Sequence, residues 1–392
     1  MKIIYIVNAR IPTEKAHGYQ IVKMCESLAS CGNEVDLWLP TRANPIKEDP
    51  LSHYGLKKNF TIRYIKSFDF LEFAKYLGPV SFWLQSGLFY FKLIFKKIDK
   101  NVIIYTRDPE IVWLFSRKGL KVVYECHEWF ARHTALRLSF IKKAYYLVTT
   151  NSFIKKEFVC RGFSEGGILV APNGIDLDVF DLDIEKEEAM KRLCLPVETV
   201  EKFQDKKILL YTGTFKTKGF EKGIADILKA LKVLNDDGAL FLAVGGDESD
   251  IDYYSRMAET LGVAKQTMFL SRVSQSRLAL WQKASDILLM PFPKIAHYEF
   301  FMSPLKMFEY MSAGRPIIAS DLPSIREILN ENNCLFCEPD KPDSLAHKIK
   351  IILADTILVK KMGLRARQDV SHYSWQERAK KIINFINYGR IF

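Results

Sequence analysis

The sequence predicts an α/β protein with two Rossmann-like, doubly wound parallel-sheet domains that face each other across a cleft. Two observations lead to this prediction. Short apolar runs alternate with longer amphipathic stretches along the whole chain, as β-α units around a parallel sheet require. The chain also has 392 residues, which is too long for one ordinary hydrophobic core. Binding sites are then expected at the carboxyl ends of the strands.

The strands are predicted from the apolar runs. In the first half they are Lys2–Val7, Glu34–Pro40, Val102–Thr106, Lys121–Glu125 and Tyr145–Thr149, with helices at Gly18–Cys31 and Phe153–Arg161. In the second half they are Ile208–Thr212, Leu240–Val244, Met268–Leu270, Ile287–Pro291, Pro316–Ala319 and Cys334–Cys337. The helix after the first of these has an apolar stripe at helical spacing, formed by Ile224, Ile227, Leu228, Leu231 and Leu234. We predict domains at 1–172 and 173–373, joined by the charged stretch Asp181–Met190.

The composition indicates a folded protein of a reducing compartment. Apolar residues make up 48% and charged residues 26% of the chain, and no membrane-spanning helix is expected. The N-terminus is typical of a buried strand rather than a signal peptide, and the seven cysteines are scattered, so we expect a cytoplasmic protein. Cys334 and Cys337 are predicted to lie in a buried strand rather than in a redox or zinc site.

The net charge of +11 predicts a surface that attracts anions. Sugar nucleotides, anionic lipid headgroups and a generally basic surface without a dedicated partner all remain open. Nucleic acid is not expected, because the basic residues form no stripe. Phe68–Lys100 is rich in aromatic residues and ends in lysines; we favour packing over its own sheet, with a membrane interface as the alternative.

The string SPLKMFEYMSAGRPIIAS predicts a short helix with a phosphate site at its start. Ser303 suits the N-cap, and Pro304 suits the first helical position. The N–H groups of Leu305 and Lys306 would then be unpaired at the positive end of the helix dipole.

A carboxylate is predicted on the same face of this helix. Glu309 lies four residues after Leu305, where it would accept hydrogen bonds from both hydroxyls of a ribose. Gly314 suits the position just beyond the helix end.

The string YTGTFKTKGFEKG places lysines on a loop at the carboxyl end of a strand. Lys222 is well placed there for a diphosphate, although a solvated lysine-rich loop explains the residues equally well. His127, Arg107 and Asp108 also follow strands, and a lone histidine in such a place is more often structural than catalytic. The two D-x-D strings, Asp176–Asp178 and Asp181–Asp183, do not suit a nucleotide-bound cation, so no metal is predicted.

These strings together resemble family 4 glycosyltransferases, a retaining group with the GT-B fold. The resemblance rests on MKIIYIVNARIPTEKAHG, YTRDPE, ECHEW, VAPNGIDLDVF, GTF…EKG, AVGGDESD, ASDILLMPFP, SPLKMFEYMSAGRPIIASDLPSIREIL and YSWQERAKKI, and so covers essentially the whole chain. It implies transfer of a hexosyl unit from a nucleotide-diphosphate sugar to a glycan or lipid-linked acceptor in cell-surface polysaccharide or glycolipid synthesis. It also implies that residues 374–392 return to the first domain as a helix.

The resemblance assigns roles to individual residues. Lys222 and the 305–306 amides would bind the donor diphosphate, with Gly18 and Thr214 beside it, and Glu309 would bind the ribose. His127 would lie near the transferred sugar, and we expect it, with Lys222, to be catalytic. The remaining implied contacts are the base at Val273 and the donor sugar near Ser303 and Pro304.

The chain departs from the family pattern at two positions. Phe301 stands where the family often has a glutamate that contacts the donor sugar, and Thr214 stands where it often has an arginine. Lys222, with Lys216 or Lys218, would then carry the positive charge for the phosphates. A sugar-nucleotide epimerase, a glycoside phosphorylase and a non-catalytic anion- or nucleic-acid-binding protein remain alternatives.

Overall fold

The computed structural model of the chain describes residues 1–70, 74–130, 133–217 and 219–389. Its internal contacts divide the chain into two compact units, one made of residues 1–172 and 375–392 and the other of residues 173–374. Each unit contains one parallel sheet covered by helices. In the part of the chain that is described, no helix has both the length and the apolar character needed to span a membrane.

The first unit is built on a seven-stranded parallel sheet in the order β3-β2-β1-β4-β5-β6-β7. Its strands are β1 Lys2–Ile6, β2 Glu34–Pro40, β3 Thr61–Ile65, β4 Ile103–Thr106, β5 Lys121–Cys126, β6 Tyr146–Thr149 and β7 Ile168–Val170. The central strand β1 is almost wholly buried, because helices cover both faces of a parallel sheet.

Among the described residues, seven α-helices precede the second unit along the chain. They are α1 Ala16–Ser30, α2 Pro50–Tyr54, α3 Ala74–Leu77, α4 Pro79–Ile94, α5 Pro109–Arg117, α6 Thr134–Ile141 and α7 Ser152–Val159. The predicted helices before β2 and after β6 are confirmed as α1 and α7, with ends shifted by one or two residues.

All five strands predicted in the first half are present, but two further strands were missed. β3 is an edge strand whose Thr61, Arg63 and Tyr64 are exposed, so it has no apolar run to reveal it. β7 has only three residues.

The second unit contains a six-stranded parallel sheet in the order β12-β11-β8-β13-β14-β15 and a two-stranded hairpin. The sheet strands are β8 Lys207–Thr212, β11 Ala239–Gly246, β12 Thr267–Ser271, β13 Ile287–Met290, β14 Ile317–Ser320 and β15 Leu335–Cys337. The hairpin strands, β9 Lys216–Thr217 and β10 Phe220–Glu221, were not predicted. The six predicted strands are all present, and Cys334 and Cys337 are buried, free thiols.

The described residues of this unit form eleven α-helices, and one more α-helix follows the unit. They are α8 Leu177–Phe180, α9 Lys186–Arg192, α10 Val197–Phe203, α11 Ile224–Leu234, α12 Glu248–Leu261, α13 Gln275–Ala284, α14 Ala296–Phe300, α15 Leu305–Ala313, α16 Pro323–Arg326, α17 Pro342–Ala354 and α18 Thr356–Val370, then α19 Trp375–Tyr388. The apolar stripe of α11 is buried as predicted. The last helix, α19, belongs to the first unit and packs against α1.

The stretch Asp181–Met190 is not a plain surface connection between domains. The core of the second unit contains Ala189 from within the stretch, and also Phe180 and Leu193 from either side of it. The sequence did not reveal these buried residues because acidic side chains surround them. Two of these acidic residues, Asp181 and Asp183, pair with Arg367 of α18 at the surface.

The helix α15 is held in place by a close backbone contact at its end. Gly314 follows it with a φ of 65°, which is the left-handed conformation predicted for this position. Gly363, in the middle of α18, lies so close that a Cβ on it would be 2.2 Å from the carbonyl oxygen of Gly314. The absence of a side chain at Gly363 therefore sets how α18 packs against the end of α15.

We expect Gly363→Ala to lower the free energy of unfolding by about 1–3 kcal/mol, as overpacking does, although alanine is the better helix former. Gly87→Ala is the matched control, since Gly87 is also inside a helix but a Cβ there meets nothing within 4 Å. That control should stabilise the protein by about 0.4–1 kcal/mol. Chemical denaturation checks both variants, and an equal effect of the two changes would contradict the packing role of Gly363.

Candidate functional site

Two glycines shape the carboxyl end of β8 in the second unit. Gly213 follows the strand with a φ of 107°, and Gly245, at the end of the neighbouring β11, has a φ of 118°. A Cβ on Gly245 would lie 2.8 Å from the carbonyl oxygen of Gly213, and a Cβ on Gly213 would lie 3.4 Å from Cε of Lys306. Glycine at both positions therefore lets the strand ends come close to each other and to the lysine.

Lys306, in the first turn of α15, is a buried lysine without an ionic partner. Its Nζ has no hydrogen-bond partner among the described residues and lies 3.5 Å from the ring centroid of Tyr211, in cation–π geometry. Burial, together with the nearby Lys222, lowers the pKa of Lys306 well below its usual value. Because a buried, unpaired ammonium costs several kcal/mol, this position favours the arrival of an anion.

Lys222 adds a second desolvated amine close to the first. Its Nζ donates a hydrogen bond to Oγ1 of Thr214 at 2.7 Å, and it makes no ion pair within the described residues. Burial, with a contribution from Arg272, lowers the pKa of Lys222 to about 8. Thr214, which replaces the arginine frequent in the family, thus orients the lysine instead of supplying a second charge.

Glu309 lies one turn after Leu305 and is half-buried. Its Oε2 accepts a hydrogen bond from Nε2 of Gln282 at 3.1 Å, and burial raises the pKa of Glu309 to about 7. A carboxylate that accepts one such hydrogen bond retains lone pairs for further donors, such as two neighbouring hydroxyl groups. The ribose assignment stays a prediction that fits this geometry.

The start of α15 differs from the predicted capping. Ser303 is not the N-cap, because its Oγ accepts a hydrogen bond from the backbone N–H of Asn173 at 3.1 Å, and Pro304 occupies the N-cap position. Nδ2 of Asn173 also donates to the carbonyl oxygen of Ser303 at 2.6 Å. Ser303 therefore fixes the turn around Asn173 to the loop before α15, and the first-turn N–H groups at Leu305 and Lys306 receive no side-chain cap.

The loop after β12 borders an apolar cavity. Val273 lies on it, and the cavity, of about 320 Å³, is also lined by Leu270, Arg277 and Trp281. An apolar wall with one guanidinium suits a flat heterocycle, in keeping with the base-binding role that the resemblance implies for Val273.

The other residues considered from the sequence have partners of their own. Lys216 is 3.6 Å from Asp250 and lies over the ring of Tyr253, while Lys218 lies outside the described residues. Phe301 directly follows α14, and Glu299 of that helix is 3.9 Å from Lys294. No group of three or more potential metal-ligating side chains occurs within the described part of the chain.

His127 follows β5 in the first unit and belongs to a buried ionic network. Its Nε2 is 2.6 Å from Oε1 of Glu125, and that carboxylate also accepts a hydrogen bond from Nη2 of Arg378 at 2.5 Å. Arg107 is 3.4 Å from the same carboxylate. Burial alone would raise the pKa of Glu125, but the two arginines hold it well below its usual value.

This network fixes the protonation state of His127. Burial, with the neighbouring Arg107, lowers the pKa of His127 to about 4, so the ring is neutral at pH 7. Because Glu125 is ionised and accepts, Nε2 carries the proton and Nδ1 keeps its lone pair. His127 therefore offers a hydrogen-bond acceptor, not a positive charge.

Gly18 and Asp108 lie on other loops of the first unit. Gly18 is the third residue of α1 rather than its first, and a Cβ on it would lie 2.4 Å from both Thr13 Cγ2 and Tyr54 Oη. Close packing thus explains the glycine. Oδ2 of Asp108 accepts a hydrogen bond from the backbone N–H of Asn8 at 2.7 Å, and burial raises the pKa of Asp108 to about 6.

Sequence reasoning missed three residues of these networks. Glu125 was read as part of a strand, although a lone glutamate in the apolar run of β5 is a signal that it has buried partners. Gln282 and Arg378 gave no such signal, because polar residues on a helix are usually exposed. The structure buries both of them.

Part of the chain matches a known family. Residues 198–369 match the family model described as glycosyl transferases group 1. A D-inositol 3-phosphate glycosyltransferase of Xylanimonas cellulosilytica is 25% identical over 225 residues, which are 55% of this chain and 50% of that protein. A phosphatidyl-myo-inositol mannosyltransferase of Mycobacterium leprae is 24% identical over 181 residues, 45% of each chain. The chain spans about half the length of these curated relatives.

Solved structures match over almost the whole chain. The Anabaena protein HepE in complex with UDP has a TM-score of 0.72 at 14% identity, covering 99% of this chain and 100% of that one. A glycosyltransferase from Rickettsia africae has a TM-score of 0.74 at 16% identity, covering 99% and 98%. At such low identity these similarities show the fold, which confirms the fold class predicted from the sequence. Residues 198–369 are therefore similar to the glycosyl transferases group 1 family, and the chain that carries them has the GT-B fold.

Proposed function

We propose that this protein is a glycosyltransferase that moves a hexosyl unit from a nucleotide-diphosphate sugar to a glycan or lipid-linked acceptor, with retention of the anomeric configuration. The observation that supports it most is a pair of neighbouring lysines whose pKa values are lowered by burial, Lys306 in the first turn of α15 and Lys222 just before α11. Lys306 and Lys222 lack carboxylate partners among the described residues, and a diphosphate supplies the missing negative charge.

The same lysines favour departure of the diphosphate. Negative charge grows on the leaving group in the transition state, and preorganised positive groups in a water-poor site stabilise it, usually as the largest catalytic term. Lys222, Lys306 and the N–H groups at the start of α15 are such groups. They would act without a metal ion, and no protein nucleophile is required for departure and attack on the same face of the sugar.

The remaining donor contacts are proposed from the surroundings of this charge site. Glu309 would bind the ribose hydroxyls and Val273 would border the base, since the apolar cavity beside it suits a heterocycle. His127 would accept a hydrogen bond from a hydroxyl of the transferred sugar through Nδ1. UDP is the first nucleotide to test, because structures with the same fold were solved with UDP and with UDP-glucose.

We further propose that the protein works at the cytoplasmic face of the cell membrane, in contact with anionic lipids. The sequence favours packing of Phe68–Lys100 over its own sheet, and the structure shows this for only some of its apolar side chains. Helix α4 buries Phe89 and Leu93 together with polar Ser81, Gln85 and Ser86. Its aromatic side chains are largely on the outside: Phe82 is 49%, Trp83 66% and Phe91 54% exposed.

Basic residues accompany this exposed apolar face. Phe95 is 68% exposed, and the lysines that follow α4 or lie in its last turn, Lys92, Lys96, Lys97 and Lys100, are exposed as well. Aromatic rings beside lysines are the combination that binds the interface of an anionic membrane. Leu71–Phe73 lies outside the described residues.

We expect the protein to float with anionic phosphatidylserine vesicles in a density gradient, and the double variant Trp83→Ser, Phe91→Ser to float several-fold less, because apolar area enters the interface. Tyr388→Ser, which removes a 79% exposed ring far along the chain, is the control. Equal flotation of the double variant and the control would contradict the assignment of this face.

The donor site is tested by thermal stability in the presence of UDP, GDP, ADP or CMP. A nucleotide at a hundred times its dissociation constant adds about 2.7 kcal/mol of stability, which raises the melting temperature by a few degrees. We expect one diphosphate to do so, and Glu309→Ala to remove the shift.

The matched control is Glu259→Ala, on the exposed side of α12, which should leave the shift intact. Product analysis with the donor alone then separates transfer from epimerisation, and turnover in EDTA tests whether a metal ion is needed. A panel in which no nucleotide stabilises the protein would contradict the proposed function.

A further inference from the structure

The last helix of the chain, α19, contributes a buried charge to the first unit. Arg378 is 3% exposed, and its Nη2 donates a hydrogen bond to Oε1 of Glu125 at 2.5 Å. Its Nε donates to the carbonyl oxygen of Pro172 at 2.8 Å, and its Nη1 lies 3.0 Å from Sδ of Met24. Because each nitrogen of the planar guanidinium has a partner, the position of Nη2 is fixed.

Arg378 lies beside the places where the chain leaves and re-enters the first unit. The unit is interrupted after Pro172 and resumes at Trp375. Arg378 follows Trp375 by three residues, and its Nε also lies 3.3 Å from the carbonyl oxygen of Ala171. The side chain therefore joins the last residues before the crossing to the helix that follows it, and it holds this end of α19 against Glu125.

The two oxygens of Glu125 have different sets of partners. Oε2 accepts a hydrogen bond from Oη of Tyr5 at 3.1 Å and lies 3.4 Å from Nε of Arg107. Oε1 accepts from Arg378 and lies 2.6 Å from Nε2 of His127, with Nη2 of Arg107 farther away at 3.5 Å. Arg378 thus binds the same oxygen as His127, so that a shift of the arginine would move the atom that orients the imidazole ring.

The charges around His127 carry an excess of positive charge. Arg107 and Arg378 face one carboxylate, that of Glu125. Burial and Arg107 lower the pKa of His127 to about 4, and Arg378 acts in the same direction. Further titratable groups within range of these charges are neutral at pH 7, because burial raises the pKa of the hydroxyls and the thiol and lowers that of the imidazole; they are Tyr5, Tyr105, Cys25 and His17. The two arginines therefore oppose protonation of the ring.

We propose that Arg378 is a positioning residue of the transfer reaction, which holds the Glu125 carboxylate so that His127 presents Nδ1 as a hydrogen-bond acceptor to the transferred sugar. The inference rests on the proposed glycosyl transfer and goes beyond it by giving the last helix a part in the reaction. Arg378 acts through Glu125 and His127, because a ring that turned or became protonated would no longer accept a hydrogen bond from a hydroxyl group.

The first measurement is nitrogen NMR of the full chain labelled with ¹⁵N-histidine, between about pH 5 and pH 8. His127→Gln identifies the signals of His127 among the seven histidines. We expect the wild-type ring to stay neutral, with its proton on Nε2. Arg378→Gln should raise the pKa of His127 toward its ordinary value of about 6.5, so that the charged fraction at about pH 5 rises at least about threefold.

Two further variants separate positioning from a purely structural role. Phe385→Ala removes a buried ring of the same helix that packs against Tyr146 at a centroid distance of 4.5 Å, and it should leave the titration of His127 unchanged. Arg378→Lys keeps the positive charge and should retain a neutral ring.

The second measurement is turnover with water as the acceptor. It follows release of UDP from UDP-glucose, or of the diphosphate that stabilises the protein from the corresponding glucose conjugate. We expect Arg378→Gln to lower kcat about tenfold and to change KM less than about twofold, because the hydrogen bond at Nδ1 matters most in the transition state. Arg378→Lys should recover most of the lost turnover, and Phe385→Ala should turn over as the wild type does.

The inference is overturned if Arg378→Gln leaves the titration of His127 or kcat as in the wild type, or if Phe385→Ala changes both to the same extent. A wild-type ring that is already charged at about pH 6 would also overturn it, and this holds even if Arg378→Gln does not fold. Failure of the proposed function looks different: absence of turnover by the wild-type protein contradicts the glycosyl transfer, and with it any role of Arg378 in turnover.

Discussion

The candidate site in the second unit depends on two neighbouring lysine side chains that have no carboxylate partner among the described residues. Lys306 is buried against Tyr211 with no anionic partner, and Lys222 lies near enough to lower its pKa further. Proteins rarely keep such charges in their interior, because desolvation is expensive. Several features position these lysines. The glycines at the ends of β8 and β11 let the strand ends approach Lys306, and the contact between Gly314 and Gly363 fixes the end of α15. The start of α15 has no side-chain cap. A diphosphate is the simplest ligand that supplies the missing negative charge.

The first unit shows the opposite arrangement around Glu125. There one buried carboxylate is bound by Arg107 and Arg378 and by the neutral ring of His127, so its charge is fully compensated. Arg378 lies on α19, so the last helix helps to fix the tautomer of a histidine more than two hundred residues away in sequence. The result is a hydrogen-bond acceptor at Nδ1 of His127.

The fold was predictable because it depends on local patterns. The longer apolar strands, such as Glu34–Pro40, were placed within one or two residues, while the exposed edge strand Thr61–Ile65 and the three-residue strand Ile168–Val170 were missed. The candidate site was predicted only where one segment carries it, as with Lys306 and Glu309 on a single helix, and its binding role stays a prediction. The residues that hydrogen-bond to Glu309 and Glu125 come from distant segments of the chain. They are Gln282 and Arg378, and no local sequence pattern predicts them. Ser303 was wrongly taken as the N-cap because its competing partner, Asn173, is 130 residues away.

Proton uptake on binding of a nucleoside diphosphate is the most direct test of this account. The pKa of Lys222 is lowered to about 8 in the free protein, and a bound diphosphate raises it. At about pH 8.5 Glu309 is already ionised, so binding should take up protons, whereas uptake through Lys222 vanishes below about pH 6. Titration calorimetry in buffers of different ionisation enthalpy measures the uptake. The account predicts uptake at the higher pH that Lys222→Met reduces. Binding without proton exchange at that pH would contradict it.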